Sequence, residues 1–182
     1  MKQVLKESLQ AAAIFLQSVP EHWFVKSAEF DSLFHSRFLA SHEAAARGYF
    51  DDVFDSGLSA LGLIILLDQF PRNAFRGTAR MFQTDEKARE IADISINAGY
   101  DQQVEPTLRV FFYLPFEHSE RIEDQIRCVE LTRSLDPSYL QYAEQHRDII
   151  LRFGRFPHRN AILLRESTPD EVAFLQQGGF GG

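Results

Sequence analysis

The feature that most restricts this chain is an apolar run that begins after Ser56, GLSALGLIILLDQF, which offers no polar face before Asp68. A helix that is apolar all round has to be surrounded by protein, so the run predicts a buried central helix. With 182 residues, the chain is long enough to enclose such a helix without disulfide or metal staples. Its 17 phenylalanines, spread from Phe15 to Phe180, predict a core built largely from packed rings.

The rest of the chain reads as helices separated by short breaks, and no alternating strand pattern occurs. Val4 to Gln17 predicts a first helix stopped at Val19-Pro20. Ser27 predicts the N-cap of a second, with Phe30, Leu33, Phe34 and Phe38 on one stripe. Ser41 to Arg47 reads as a separate short piece ended by Gly48, and Thr84-Asp85 as the cap of a helix that stops at Gly99. Glu105 to Leu114 is expected to break at Pro115. Ser119 to Leu135 carries alternating charges and is expected on the surface, with Cys128 on it as an inert thiol. Asp136-Pro137 starts the next helix, which runs to Phe153 and Gly154, and Thr168-Pro169-Asp170-Glu171 is a capping box that opens the last. The expectation is an all-α fold of about eight helices in a single domain over residues 1–177, followed by a flexible tail over 178–182.

Charge and cysteine content narrow the functional classes. A net charge of -7 disfavours general attraction to nucleic acid or to an anionic membrane. One cysteine rules out an internal disulfide and a thiolate zinc cluster, which fits a reducing, cytoplasmic setting. The opening residues are apolar only from Ala11 to Leu16, too short a run for a signal peptide or a membrane span. No glycine-rich phosphate loop, dinucleotide fingerprint, GxSxG elbow or HExxH pair occurs, so neither a cofactor nor a metal is assigned. A metal site assembled from His118, His146, His158 and Glu117 has no support from spacing.

Polar residues concentrate at three helix breaks, where loop geometry can aim side chains. The first, Asp68 to Arg76, pairs a buried carboxylate with Arg72 and Arg76 and adds Asn73. Either these groups form a structural ion pair, or the guanidinium forks grip a carboxylate or phosphate. The second sets Glu117 beside His118, a pair suited to acid-base chemistry or to capping. The third gathers His146, Arg152, Arg155, His158, Arg159 and Asn160 around Gly154. Phe70-Pro71-Arg72-Asn73-Ala74 and Phe156-Pro157-His158-Arg159-Asn160-Ala161 form a weak internal echo, each following an apolar helix.

Three long segments, LLDQFPRNAFRGTARMFQTD (66–85), FFYLPFEHSE (111–120) and RFGRFPHRNAILLRESTPDEVAFL (152–175), closely resemble a bacterial family known as domain of unknown function 924. Residues 23–53 are similar to that family's opening, so the resemblance spans nearly the whole chain. It implies tetratricopeptide-type antiparallel helix pairs in a right-handed superhelix, and carries no activity with it. Two positions depart from the family pattern. Leu164 stands where the family has glycine before Arg165, which sets Arg165 aside as a site residue, and Phe54 or its neighbour replaces a tryptophan.

These readings converge on a pocket that binds a small anionic molecule, with Glu117, His118 and His158 as acid-base groups. Asp68, Arg72, Asn73, Arg76, His146, Arg152, Arg155, Arg159 and Asn160 would bind the ligand. The competing expectations are an interaction module whose groove takes an acidic peptide, and a polar network that only pins helices together.

Overall fold

A computed structural model describes residues 2–180. Among these residues every regular element is helical: α1 (Lys2–Gln17), α2 (Ala28–Ala46), α3 (Gly57–Ile64), α4 (Phe70–Ala74), α5 (Asp85–Asn97), α6 (Val110–Glu117), α7 (Ile122–Thr132), α8 (Pro137–Phe153) and α9 (Pro169–Gln176), with short 3-10 turns between them. The chain divides into two compact units, one comprising residues 1–76 and 80–115 and the other residues 77–79 and 116–182.

In the first unit the apolar run forms α3 and the turn that follows it and is buried except at Leu58, as its composition requires. It packs against α1 and α5. The α1 backbone crosses so closely that a Cβ added at Gly62 would lie 1.9 Å from the Leu9 carbonyl oxygen. Only a residue without a side chain fits that crossing. Phe15, Phe34, Phe38 and Phe70 fill the adjoining space, with ring centroids 5.3 to 5.6 Å apart for the Phe15–Phe34, Phe15–Phe38, Phe34–Phe38 and Phe34–Phe70 pairs. This ring packing accounts for the phenylalanine content. Leu33, expected on the same stripe, is exposed.

Between α3 and α4 the helix widens into a π turn, Ile65–Gln69. The cause is Pro71, which has no N–H to give the Leu67 carbonyl and whose ring would strike it in a tight α turn. Three carbonyls are taken over by side chains as a result. His42 Nδ1 lies 2.8 Å from Leu66 O, Thr84 Oγ1 donates to Leu67 O at 2.5 Å, and Arg72 donates to Asp68 O at 2.9 Å. Thr84 thus serves this turn and does not cap α5 with its side chain.

Two expected breaks are absent. Helix α2 runs unbroken to Ala46, because the Ser41 hydroxyl bonds Ser8 Oγ at 3.0 Å and caps nothing. Helix α6 continues through Pro115 to Glu117.

In the second unit α7 packs on α8. Asp136 caps α8 by accepting from Ser138 N, and Gly154 ends it at φ 69°. Thr168 and Glu171 form the capping box of α9. Ile149, Ile150 and Phe156 make a small core, against which Ile122, Phe153, Phe174 and Phe180 pack. Of the tail predicted over 178–182, the last two residues lie outside the described residues, while Phe180 is held in this core.

Candidate functional site

The first polar segment lies in the first unit and is closed by ion pairs. Asp68 is completely buried, accepts from Gln69 Nε2 at 2.7 Å, and has an oxygen 3.2 Å from Arg72. The Arg72 fork binds both oxygens of Asp85 at 2.8 and 3.0 Å. Arg76 binds both oxygens of Asp31 at 2.9 and 3.1 Å and also donates to Asn73 Oδ1. Bidentate geometry of this kind fixes a guanidinium in place. Asp68, Arg72, Asn73 and Arg76 therefore fasten the end of the π turn to α2 and α5.

The other eight predicted residues, Glu117, His118, His146, Arg152, Arg155, His158, Arg159 and Asn160, belong to the second unit. They sort into two groups and one outlier. Arg155 grips both Glu171 oxygens at 2.6 and 2.8 Å, and Asn160 Nδ2 bonds Ser167 Oγ at 3.0 Å and Glu171 at 3.2 Å. The hydrogen bond from Arg155, with further bonds from Thr168 N and Asn160, holds the Glu171 carboxyl down at about 2. Arg165, set aside in the sequence, completes this network by binding both Glu120 oxygens at 2.7 and 3.0 Å and Asn160 Oδ1 at 3.0 Å. Burial would raise the Glu120 carboxyl, but the bonds from Arg165 and Phe156 N and the nearby charges of Arg165 and Arg159 hold it below its usual range. The outlier is Arg152, which is exposed and lies over the Phe153 ring at 4.6 Å.

The second group is a cluster of imidazoles over an acid. Glu117 ends α6 and is buried, with one carboxylate oxygen 3.7 Å from His146 Nδ1. That nitrogen also lies 2.8 Å from Tyr142 O, one helical turn back on α8, so it carries the proton and donates to the carbonyl. His158 follows Phe156-Pro157, where the 3-10 turn Pro157–Arg159 turns its ring back toward α8. Its centroid lies 5.6 Å from Phe156 and 5.3 Å from Phe180, and His146 lies 4.5 Å from Phe180. Burial first, then the charges of Arg159, His146 and His118, push the His158 pKa down to about 4. The ring is neutral at physiological pH, and its Nδ1 is buried without a hydrogen-bond partner. Arg159 is buried beside it, with its guanidinium 4.5 Å above the Phe156 ring.

Cys128 corrects the sequence reading. It is fully buried on the inner face of α7, with Sγ 4.0 Å from Glu117 Oε2, and is part of this cluster. Burial, then the Glu117 charge, raises its pKa well above the ordinary thiol value. The thiol is inert for that reason. Phe180 and Phe156 were visible only as core aromatics, and Glu171 only as a capping residue. The echo between the two Phe-Pro segments does not extend to environment: Pro71 follows a π turn inside a continuing helix, while Pro157 opens a 3-10 turn after Gly154 has ended α8.

Comparison with known proteins follows from this geometry. Residues 12–179 match the model of a family described as bacterial protein of unknown function (DUF924). The chain belongs to that family. A solved structure of a protein of unknown function from Agrobacterium tumefaciens is 52% identical, covers 94% of this chain and 99% of its own, and superposes with a TM-score of 0.90. No curated protein matches the sequence. Family membership accounts for the long ordered motifs and assigns them no activity. Among the described residues no helix is long and apolar enough to cross a membrane, and no group of three potential metal ligands occurs.

Proposed function

We propose that the second unit binds a small molecule in which a carboxylate or phosphate lies next to a hydroxyl, and that His158 exchanges a proton with it. The observation that carries this reading is the His158 ring, neutral down to about pH 4 and with a buried Nδ1 that no protein group satisfies. A buried polar atom left unsatisfied costs about 1–3 kcal/mol, so a ligand O–H donated to that nitrogen recovers what folding left unmet. Arg159, next in sequence, supplies the positive charge for the anionic group. Glu117 and His146 form the proton reservoir behind the site, and His118 lies close enough for its charge to act on His158. The neutral imidazole is a hydrogen-bond acceptor and a weak base, and its lowered pKa makes its protonated form beside Arg159 a strong acid that gives the proton up readily.

The remaining arginines narrow the ligand set. Arg72, Arg76 and Arg155 each bind both oxygens of a carboxylate, while the Arg159 guanidinium lies over the Phe156 ring beside His158, and this reading makes it the anion-binding group. An open groove of about 560 Å³ beside α8 and α9 is lined by Glu144 and Asp148 as well as Arg152, an acidic lining that does not suit an acidic peptide. The tetratricopeptide-type pairing implied by the family resemblance belongs to the same proposal. Helices α7 and α8, packed together and joined by the short link from Arg133 to Asp136, are the kind of pair it requires.

The test is a thermal-shift series with inorganic phosphate, phosphomonoesters and hydroxycarboxylates on the native chain, Arg159→Gln and His158→Gln. One ligand class should raise the native midpoint by several degrees, the gain expected at concentrations well above Kd. Both variants should lose the shift. If no anion moves the native midpoint, or Arg159→Gln responds as the native chain does, the reading fails.

A further inference from the structure

The Gly178-Gly179-Phe180 segment has a geometry that nothing in the proposed chemistry uses. Gly178 adopts φ 80°, a left-handed conformation that turns the chain back after α9. At Gly179 a Cβ would lie 2.6 Å from the Phe174 carbonyl oxygen and 2.7 Å from the Phe174 ring, so only glycine passes that point. Gly179 N then donates to Phe174 O at 2.9 Å. The two glycines deliver the Phe180 ring edge-on against both His146 and His158. The same ring packs on the core of Ile149, Ile150 and Phe156.

We infer that Phe180 is an internal plug, a ring that the chain folds over its own histidine site and that has to swing aside before a solute reaches the buried Nδ1 of the partly exposed His158. The inference rests on the ligand-binding reading for its purpose, but not for its test. Its physical basis is the mismatch between how the ring is held and where it sits. The segment is positioned by two backbone hydrogen bonds, from Gly178 N to Leu175 O and from Gly179 N to Phe174 O, and by one aromatic seat beyond the last helical turn, and segments so held open locally at far lower cost than the unit unfolds. The groove lined by Ile149, Phe153, Phe174 and Phe180 runs alongside, giving the displaced ring an apolar surface to slide onto.

Carbethoxylation by diethyl pyrocarbonate, followed by peptide mass analysis, reads access to each histidine directly. In the full chain, Phe180→Ala and Gly179→Val should each raise the modification rate of His146 and His158 on the order of tenfold or more, as expected when local opening no longer limits access. Partly exposed His35 and His22 serve as internal references, and their rates should not change. Gly179→Val keeps the ring and removes only its path, and the buried Cys128 thiol should stay unlabelled in both variants, showing that the unit remains folded. Unchanged His158 reactivity with Cys128 still protected overturns the plug. If Cys128 becomes labelled in both variants, the native chain decides by proton NMR: nuclear Overhauser contacts from the Phe180 ring to both imidazoles support the plug, and their absence overturns it. Faster modification in a protein whose midpoint no anion moves would keep the plug and discard the ligand reading.

Discussion

Leu164 stands where the family resemblance expects glycine, and it carries φ 55° with 93% of its surface exposed. A left-handed conformation costs a residue with a side chain about 1–2 kcal/mol, and an exposed Leu164 recovers nothing by packing. Leu164→Gly is therefore expected to stabilise the protein by about 0.5–1 kcal/mol, less than the full strain because glycine also loses more entropy on folding. Denaturant unfolding measures it, and a loss of stability would mean that the strain estimate is wrong. Arg165 keeps its grip on Glu120 despite that neighbour, which explains why reading the glycine's absence as a defect in the site misplaced this arginine. His158 and Glu171 carry the two largest shifts that act on the acid response, beside smaller ones at Glu120, Asp52 and Asp136. His158 titrates at about 4 when folded against an ordinary 6.5, so the folded state binds fewer protons than the unfolded one between those values. Its contribution is complete above pH 6.5 and is lost as pH falls toward 4. Glu171, at about 2 against 4.5, adds a second loss below pH 4.5. Stability followed from pH 7 to 3 should fall throughout, with His158→Phe flattening the upper part of the curve and Glu171→Gln the lower part.

At the scale of elements, most helices were legible because their signals are local. Asp136-Pro137, Gly154 and the Thr168 capping box each act within one turn of the residue that carries them. The failures were long-range. Ser41 looks like a cap until Ser8, 33 residues away, takes its hydroxyl, and Thr84 looks like a cap until Leu67 takes its own. Pro115 does not stop α6, because packing of a fully apolar helix outweighs one lost hydrogen bond. The π turn offers a direct measurement. Thr84→Val keeps the side chain's shape and strands the Leu67 carbonyl, which should cost about 1–3 kcal/mol, the usual result of leaving a buried acceptor unsatisfied. Gly62→Ala is a harsher test, since the new methyl meets the Leu9 backbone and no flexible side chain can yield. A loss of about 3 kcal/mol or more is expected, with calorimetry as the measurement. A neutral result would show that α1 and α3 can move apart.

For the molecule as a whole, sequence alone showed the helical class, the buried α3 and the residue types of the candidate site, because composition and periodicity report these without coordinates. Partnerships were hidden. Asp31, Asp85, Glu120 and Glu171, which engage Arg76, Arg72, Arg165 and Arg155, lie between 13 and 45 residues from them, and charge pattern names no partner at such separations. Cys128 offers a whole-molecule measurement. As the only thiol, buried and with a raised pKa, it should react with a disulfide reagent at the unfolding rate and no faster. Labelling in native buffer that outpaces unfolding would show a breathing motion of α7. The π turn has a consequence that extends over more of the chain than its five residues. A residue's direction around a helix advances by about 100° per position, and the wider loop holds back that advance once, so the side chains of Phe70 to Ala74 point elsewhere than an unbroken helix would send them. Arg72 meets Asp85 because of that offset. Deleting one residue between Ile65 and Gln69 would leave the guanidinium facing its acid, whereas tightening the turn with all five residues kept would aim it away, so the wide turn works as a phase setting for α4.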